Sequence, residues 1–240
     1  MTGRTAIVTG AASGIGAATV EYLRGEGWLV HGVDLVGGEG IVRADVSDPD
    51  SLAAAAAELG DAPLHGLVCA AGIWPAGDDR YSAVGLDVWE RTWAVNVTGT
   101  MLTLRTFAPR LVYGGAVATI ASIVALAGFP RRDAYTASKG AVLALSRAWA
   151  ADLVRRGVRV NCICPGVVDT PMTDRGLAVD TTTLPLGRLA TPTEIAGVIG
   201  STLDARAGYL NGAVIPVDGG LTAAAGTVPL SPRVARTVEQ

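Results

Sequence analysis

Short, nearly unbroken apolar runs alternate along the chain with longer stretches whose apolar positions fall three and four residues apart. The first kind reads as buried strands and the second as helices with one apolar face. Strands are expected at residues 5–9, 28–34, 41–46, 64–70, 116–121, 158–164 and 213–217. Helices are expected at 15–25, 47–59, 86–110, 133–156 and 191–203. Ser47-Asp48-Pro49-Asp50 supplies a capping side chain and an early proline at one helix start, and Thr191-Pro192-Thr193-Glu194 has capping-box spacing at another. Strands apolar on both faces, alternating with helices, mean a parallel sheet covered on both sides. The expected fold is therefore α/β, a single doubly wound domain over residues 1–240 with a seven-stranded parallel sheet. Such a sheet takes its ligand at the carboxyl ends of the strands.

Composition narrows the function classes. Half of the 240 residues are hydrophobic, which excludes a disordered chain. A net charge of −3 with no basic run argues against nucleic acid or an anionic membrane as partner. Cys69, Cys162 and Cys164 are too few for a disulfide framework, and with only His31 and His65 beside them no metal site is expected. Residues 5–20 resemble an export signal but carry Gly10, Ser13, Gly14 and Gly16 through their middle. Residues 111–130 are uncharged but divided by Gly114-Gly115, Ser122, Gly128 and Pro130 into pieces of strand length. Both read as interior, and the compartment as cytoplasm. One count stands apart: of 19 basic residues, only Lys139 is lysine.

Thr9-Gly10-Ala11-Ala12-Ser13-Gly14-Ile15-Gly16 follows the first strand and opens the first helix. Glycines there let backbone approach a pyrophosphate, and the helix start offers unpaired N–H groups and a positive dipole end. Gly10, Ser13, Gly14, Ile15 and Gly16 are thus expected to hold a dinucleotide. Asp34, ending the second strand, is placed to accept hydrogen bonds from both adenosine ribose hydroxyls. Its charge would repel a 2′-phosphate, and Ala11, Ala12 and Ser13 offer no cation to attract one, so NAD is expected over NADP.

Tyr135 and Lys139 are four apart on a helix and can share one cleft. A phenol with an ordinary pKa near ~10 needs a neighbouring cation to work near neutral pH. A compact ammonium suits that place and a guanidinium fork does not, which explains the single lysine.

With these motifs in this order, the chain resembles the short-chain dehydrogenase/reductases of the T-G-x-x-x-G-x-G type, whose domain is Rossmann-type, from Thr5 to about Leu221. The resemblance implies an NAD-dependent oxidoreductase moving hydride between nicotinamide and a secondary alcohol or ketone. A cyclic diol or small hydroxy acid would suit it. It implies Tyr135 as acid/base, with Lys139 lowering its pKa and holding the nicotinamide ribose. Ser122 would bind the substrate oxygen, and Asn96 would hold a water in a relay to Lys139. Asp45, Val46, Ala71 and Gly72 would line the adenosine pocket, and Pro165, Gly166, Val168 and Thr170 the nicotinamide end. It also implies a homo-oligomer, dimer or tetramer, as do the apolar helices within 88–110 and 134–151. A regulator on the same scaffold, holding NAD without turnover, is the alternative; it could dispense with Ser122, Tyr135 and Lys139. A reductase of carrier-bound acyl chains would be expected to prefer NADPH and to show a basic docking patch.

The chain departs from the family pattern in three places. Asp34 and Asp45 are too close in sequence for a helix between the second and third strands. Cys69-Ala70-Ala71-Gly72 stands where the family has Asn-Asn-Ala-Gly. The substrate lid, 171–186, is short, and the tail 222–240 could fray or cross a subunit interface. Trp74, Leu126, Phe129, Val167, Met172 and Leu177 are candidate pocket residues or packing. Arg131-Arg132 is a possible anion anchor or a solvated pair, while the histidines and Cys162/Cys164 read as structural.

Overall fold

The computed structural model describes residues 3–173 and 179–224. Its seven strands are β1 (Thr5–Thr9), β2 (Leu29–Asp34), β3 (Ile41–Arg43), β4 (Leu64–Cys69), β5 (Leu111–Ile120), β6 (Arg159–Pro165) and β7 (Val214–Val217). They form one parallel sheet in the order β3-β2-β1-β4-β5-β6-β7. The reversal between β1 and β4 opens a crevice at their carboxyl ends, where α/β sheets bind ligands. The helices are α1 (Gly14–Gly25), α2 (Pro49–Glu58), α3 (Leu86–Trp93), α4 (Thr100–Phe107), α5 (Asp133–Leu153) and α6 (Pro192–Leu203).

Alternation along the strands divides most of the core into two large clusters. Ile7, Val33, Leu67, Val117 and Val160 pack with Leu52 and Phe107 on one side. Ala6, Val8, Val30, Val68 and Ile163 pack with Leu23, Ile195 and Ile199 on the other. Cap chemistry ends the helices as the sequence suggests: Asp48 accepts from Asp50 N, and Thr191 with Glu194 forms a reciprocal capping box.

Three elements differ from expectation. β3 stops at Arg43, because Asp45 turns back to accept from the backbone and hydroxyl of Ser47. β5 begins at Leu111, with an irregularity that pairs Leu111 with Leu64 before Ala116 meets Gly66. The expected helix 86–110 is continuous in path, but between α3 and α4 it widens into a π turn over Ala94–Gly99. Such turns concentrate at functional sites, and this one contains Asn96. The missing helix between β2 and β3 is indeed absent; residues 35–40 make a short turn closed by Gly38 and Ile41. Leu177 and residues 225–240 lie outside the described residues, as does part of the short lid. Among the described residues no helix is long and apolar enough to cross a membrane.

Candidate active site

The glycine turn leaves β1 and enters α1 across a very narrow gap. Gly10 has φ +70°, and a side chain there would meet Ala71 N at 2.7 Å. Any side chain at Gly16 would run into the carbonyl of Gly10. The Asp34 carboxylate accepts from Ala12 N at 3.0 Å and Val36 N at 3.1 Å, joining the turn to the end of β2. At the end of β4 the Thr9 hydroxyl accepts from Ala71 N and reaches Val68 O.

A cavity of about 590 Å³ runs from this turn along the carboxyl ends of the strands. Its lining brings together Gly10, Ser13, Gly14, Ile15, Gly16, Asp34, Asp45, Val46, Ala71 and Gly72 at one end. Ser122, Tyr135, Lys139, Pro165, Gly166, Val168 and Thr170 line the rest. Of the expected residues only Asn96 is behind the wall, fully buried. Trp74, Phe129, Val167 and Met172 also face the cavity; Leu126 does not. The glycine turn, with helix N–H groups behind it and a carboxylate at the end of β2, fits a dinucleotide.

Lys139 is buried, and its ammonium donates to Ile120 O at 2.8 Å, the last carbonyl of β5. Burial pulls its pKa down to about 8. Its Nζ is 5.6 Å from the centre of the Tyr135 ring. The expected lowering of the Tyr135 pKa is not present in the protein alone. Burial pushes the phenol up to about 12, and a hydrogen bond from Ser122 and the Arg132 charge only partly offset this. The Lys139 ammonium is directed to a backbone carbonyl instead. Ser122 also accepts from Val124 N at 3.3 Å, which fixes the turn after β5.

Asn96 is committed differently from a simple water holder. Its Oδ1 accepts from Ile73 N at 2.8 Å, and its Nδ2 donates to Ile73 O at 2.9 Å and Ser138 Oγ at 3.0 Å. It therefore locks the segment after β4 to α5. One space remains shared: a side chain at Gly72 would lie 3.2 Å from Lys139 Nζ and 3.3 Å from Asn96 Oδ1.

Sequence reasoning missed the support of α5. Both oxygens of Asp78 accept from its first turn, from Ala134 N at 3.0 Å and Tyr135 N at 2.9 Å. An anion at a helix start satisfies its unpaired donors. The contact spans more than fifty residues of chain, and no local pattern announces it. His65 is structural, its Nδ1 accepting from Thr5 N. Cys162 and Cys164 are buried against Val142 and Ala121 beneath α5.

The model of a family described as Enoyl-(Acyl carrier protein) reductase matches residues 10–222. A protein of Xanthobacter autotrophicus (strain ATCC BAA-1158 / Py2) named Inactive 2-(S)-hydroxypropyl-CoM dehydrogenase 2 is 39% identical over 196 residues, 76% of this chain and 84% of that one. Cis-4-hydroxycyclohexanecarboxylate dehydrogenase of Sinomonas cyclohexanicum is 36% identical over 249 residues, 92% of this chain and 97% of that one. The crystal structure of levodione reductase superposes with a TM-score of 0.83 at 28% identity, covering 92% of this chain and 98% of that one.

Proposed function

The chain belongs to the short-chain dehydrogenase/reductase family, and from that premise we propose that it is an NAD(H)-dependent oxidoreductase acting on a secondary alcohol or its ketone. One observation carries the proposal: a phenol and the chain's only lysine share the cavity that also holds the glycine turn and Asp34. The nicotinamide, when bound, supplies the hydride acceptor or donor and, oxidised, brings positive charge into the cavity. Ser122 and Tyr135 hydrogen-bond the substrate oxygen, and Tyr135 takes or gives the hydroxyl proton. Lys139, steadied by Ile120 O, holds the nicotinamide ribose and adds its charge near the phenol. A water in the space that Gly72 leaves between Lys139 and Asn96 would carry the proton onward.

Asp34 supports NAD over NADP, since its carboxylate lines the same cavity as the glycine turn and would repel a 2′-phosphate. Although the matching family is described by an acyl-carrier reductase, the Sinomonas relative is named for an alcohol substrate and matches nearly its whole length. The relative whose name calls it inactive favours a second reading, an NAD-holding regulator without turnover. One assay separates them. Oxidation of secondary alcohols is expected with NAD in preference to NADP. Tyr135→Phe should lower kcat by about 10³-fold with NADH binding retained. A fully active Tyr135→Phe enzyme overturns the proposal, and nucleotide binding without any turnover favours the regulator.

A further inference from the structure

Arg131 and Arg132 are neighbours in sequence and opposites in setting. Arg131 adopts a left-handed backbone (φ +61°), rare for a residue with a side chain. Its guanidinium points outward, 70% exposed, and pairs with Asp79 at 3.0 Å. Beyond that break, Arg132 faces the cavity. Its guanidinium lies 4.8 Å from the centre of the Trp74 ring and 5.8 Å from that of Phe129.

Arg132 has no carboxylate within ion-pair distance among the described residues. Asp78 is close enough to feel its charge, but both Asp78 oxygens already serve the start of α5. The Nε of Arg132 and the Nε1 of Trp74 are both buried without a hydrogen-bond partner among the described residues. Buried donors are rarely left so. Here two of them, one on the guanidinium and one on the indole beside it, belong to residues that line the cavity.

We propose that Arg132, braced by Trp74 and Phe129, binds the carboxylate of a hydroxy-acid substrate whose carbinol lies at Tyr135. This deepens, and rests on, the dehydrogenase reading above. A planar guanidinium matches a carboxylate with two parallel hydrogen bonds. The Trp74 ring that Arg132 lies over is also 6.0 Å from the Tyr135 ring, so one indole borders both the guanidinium and the phenol. The substrate is therefore a secondary alcohol with a ring or short chain between its hydroxyl and its acid. The Sinomonas relative is named for an alcohol of that kind.

The test compares 4-hydroxycyclohexanecarboxylate, its methyl ester and cyclohexanol with NAD. The proteins are the wild type, Arg132→Gln and Arg131→Gln, each checked by circular dichroism. Binding of the non-oxidisable cyclohexanecarboxylate is measured alongside by calorimetry. The wild type should prefer the acid to the ester by about tenfold or more in kcat/KM. Arg132→Gln should raise KM for the acid about 30-fold, the low end for losing one partner of a hydrogen-bonded charge pair. It should leave KM for cyclohexanol nearly unchanged and abolish binding of the acid, while Arg131→Gln changes neither. Equal loss on acid and cyclohexanol would give Arg132 a merely structural role and overturn the proposal. No preference for acid over ester in the wild type overturns it even if Arg132→Gln fails to fold. A wild type that binds the acid, loses it in Arg132→Gln and oxidises no alcohol sinks the dehydrogenase reading and leaves the anion site standing.

Discussion

The nucleotide end of the cavity and the reacting end are built from different materials. At the first, backbone does the shaping: Gly10 and Gly16 pass so close to their neighbours that no side chain fits, and Asp34 and Thr9 spend their oxygens on backbone N–H groups. At the second, side chains do it, and they are held out of their ordinary states. Lys139 is a buried cation drawn down to about 8, Tyr135 a phenol pushed up to about 12, and Arg132 and Trp74 carry donors without partners among the described residues. The first end is intolerant of added volume. The second is a reservoir of unmet polar demand, as expected where binding and proton transfer are to happen.

Substitutions should separate the two ends, and they should differ even in sign. The largest effect is expected at Gly16→Ala. Its methyl group would collide with Gly10 O, so the turn must shift, costing roughly 3 kcal/mol and abolishing NADH binding. A normally stable Gly16→Ala protein with intact nucleotide affinity would break the comparison.

Lys139→Met should act the other way on stability while removing turnover. Between its folded pKa of about 8 and the ordinary 10.5, the unfolded chain holds more protons at Lys139 than the native one. Stability from this group therefore rises as pH climbs from about 8 towards 10.5. Below pH 8 the buried ammonium is a standing cost, so Lys139→Met, even with the hydrogen bond to Ile120 O lost, should stabilise the cofactor-free protein by about 2 kcal/mol at pH 7. Melting curves from pH 7 to 10 should show the wild type gaining on the variant. Parallel curves would mean that the ammonium is not strained.

The smallest effect falls between the two ends. Asp78→Ala removes the cap of α5 and should cost about 1 kcal/mol, read as a lower urea midpoint with an unchanged slope. A neutral result would show that the start of α5 is held by packing alone.

The sequence made the nucleotide end readable because its logic is local. A glycine turn between a strand and a helix, and an acid at the next strand end, can be seen without knowing what packs where. Tyr135 and Lys139 were legible for the same reason, being one helical turn apart. Their proton chemistry was not, because desolvation and the pull of Ile120 O depend on which backbone surrounds them. Asn96 was found by pattern, but its partners Ile73 and Ser138 are set by a π turn that no propensity foretold. Arg131 and Arg132 could be told apart only once one left-handed residue had sent their side chains in different directions.

Lys139 carries the chain's only side-chain ε-amine, and that amine is walled in against Ile120. Reagents that acylate or reductively alkylate amines thus have one side-chain target in this molecule, placed at the bottom of the cavity. A mass shift on the peptide bearing that residue would report how open the cavity is, with no competing lysine on the surface to blur the reading.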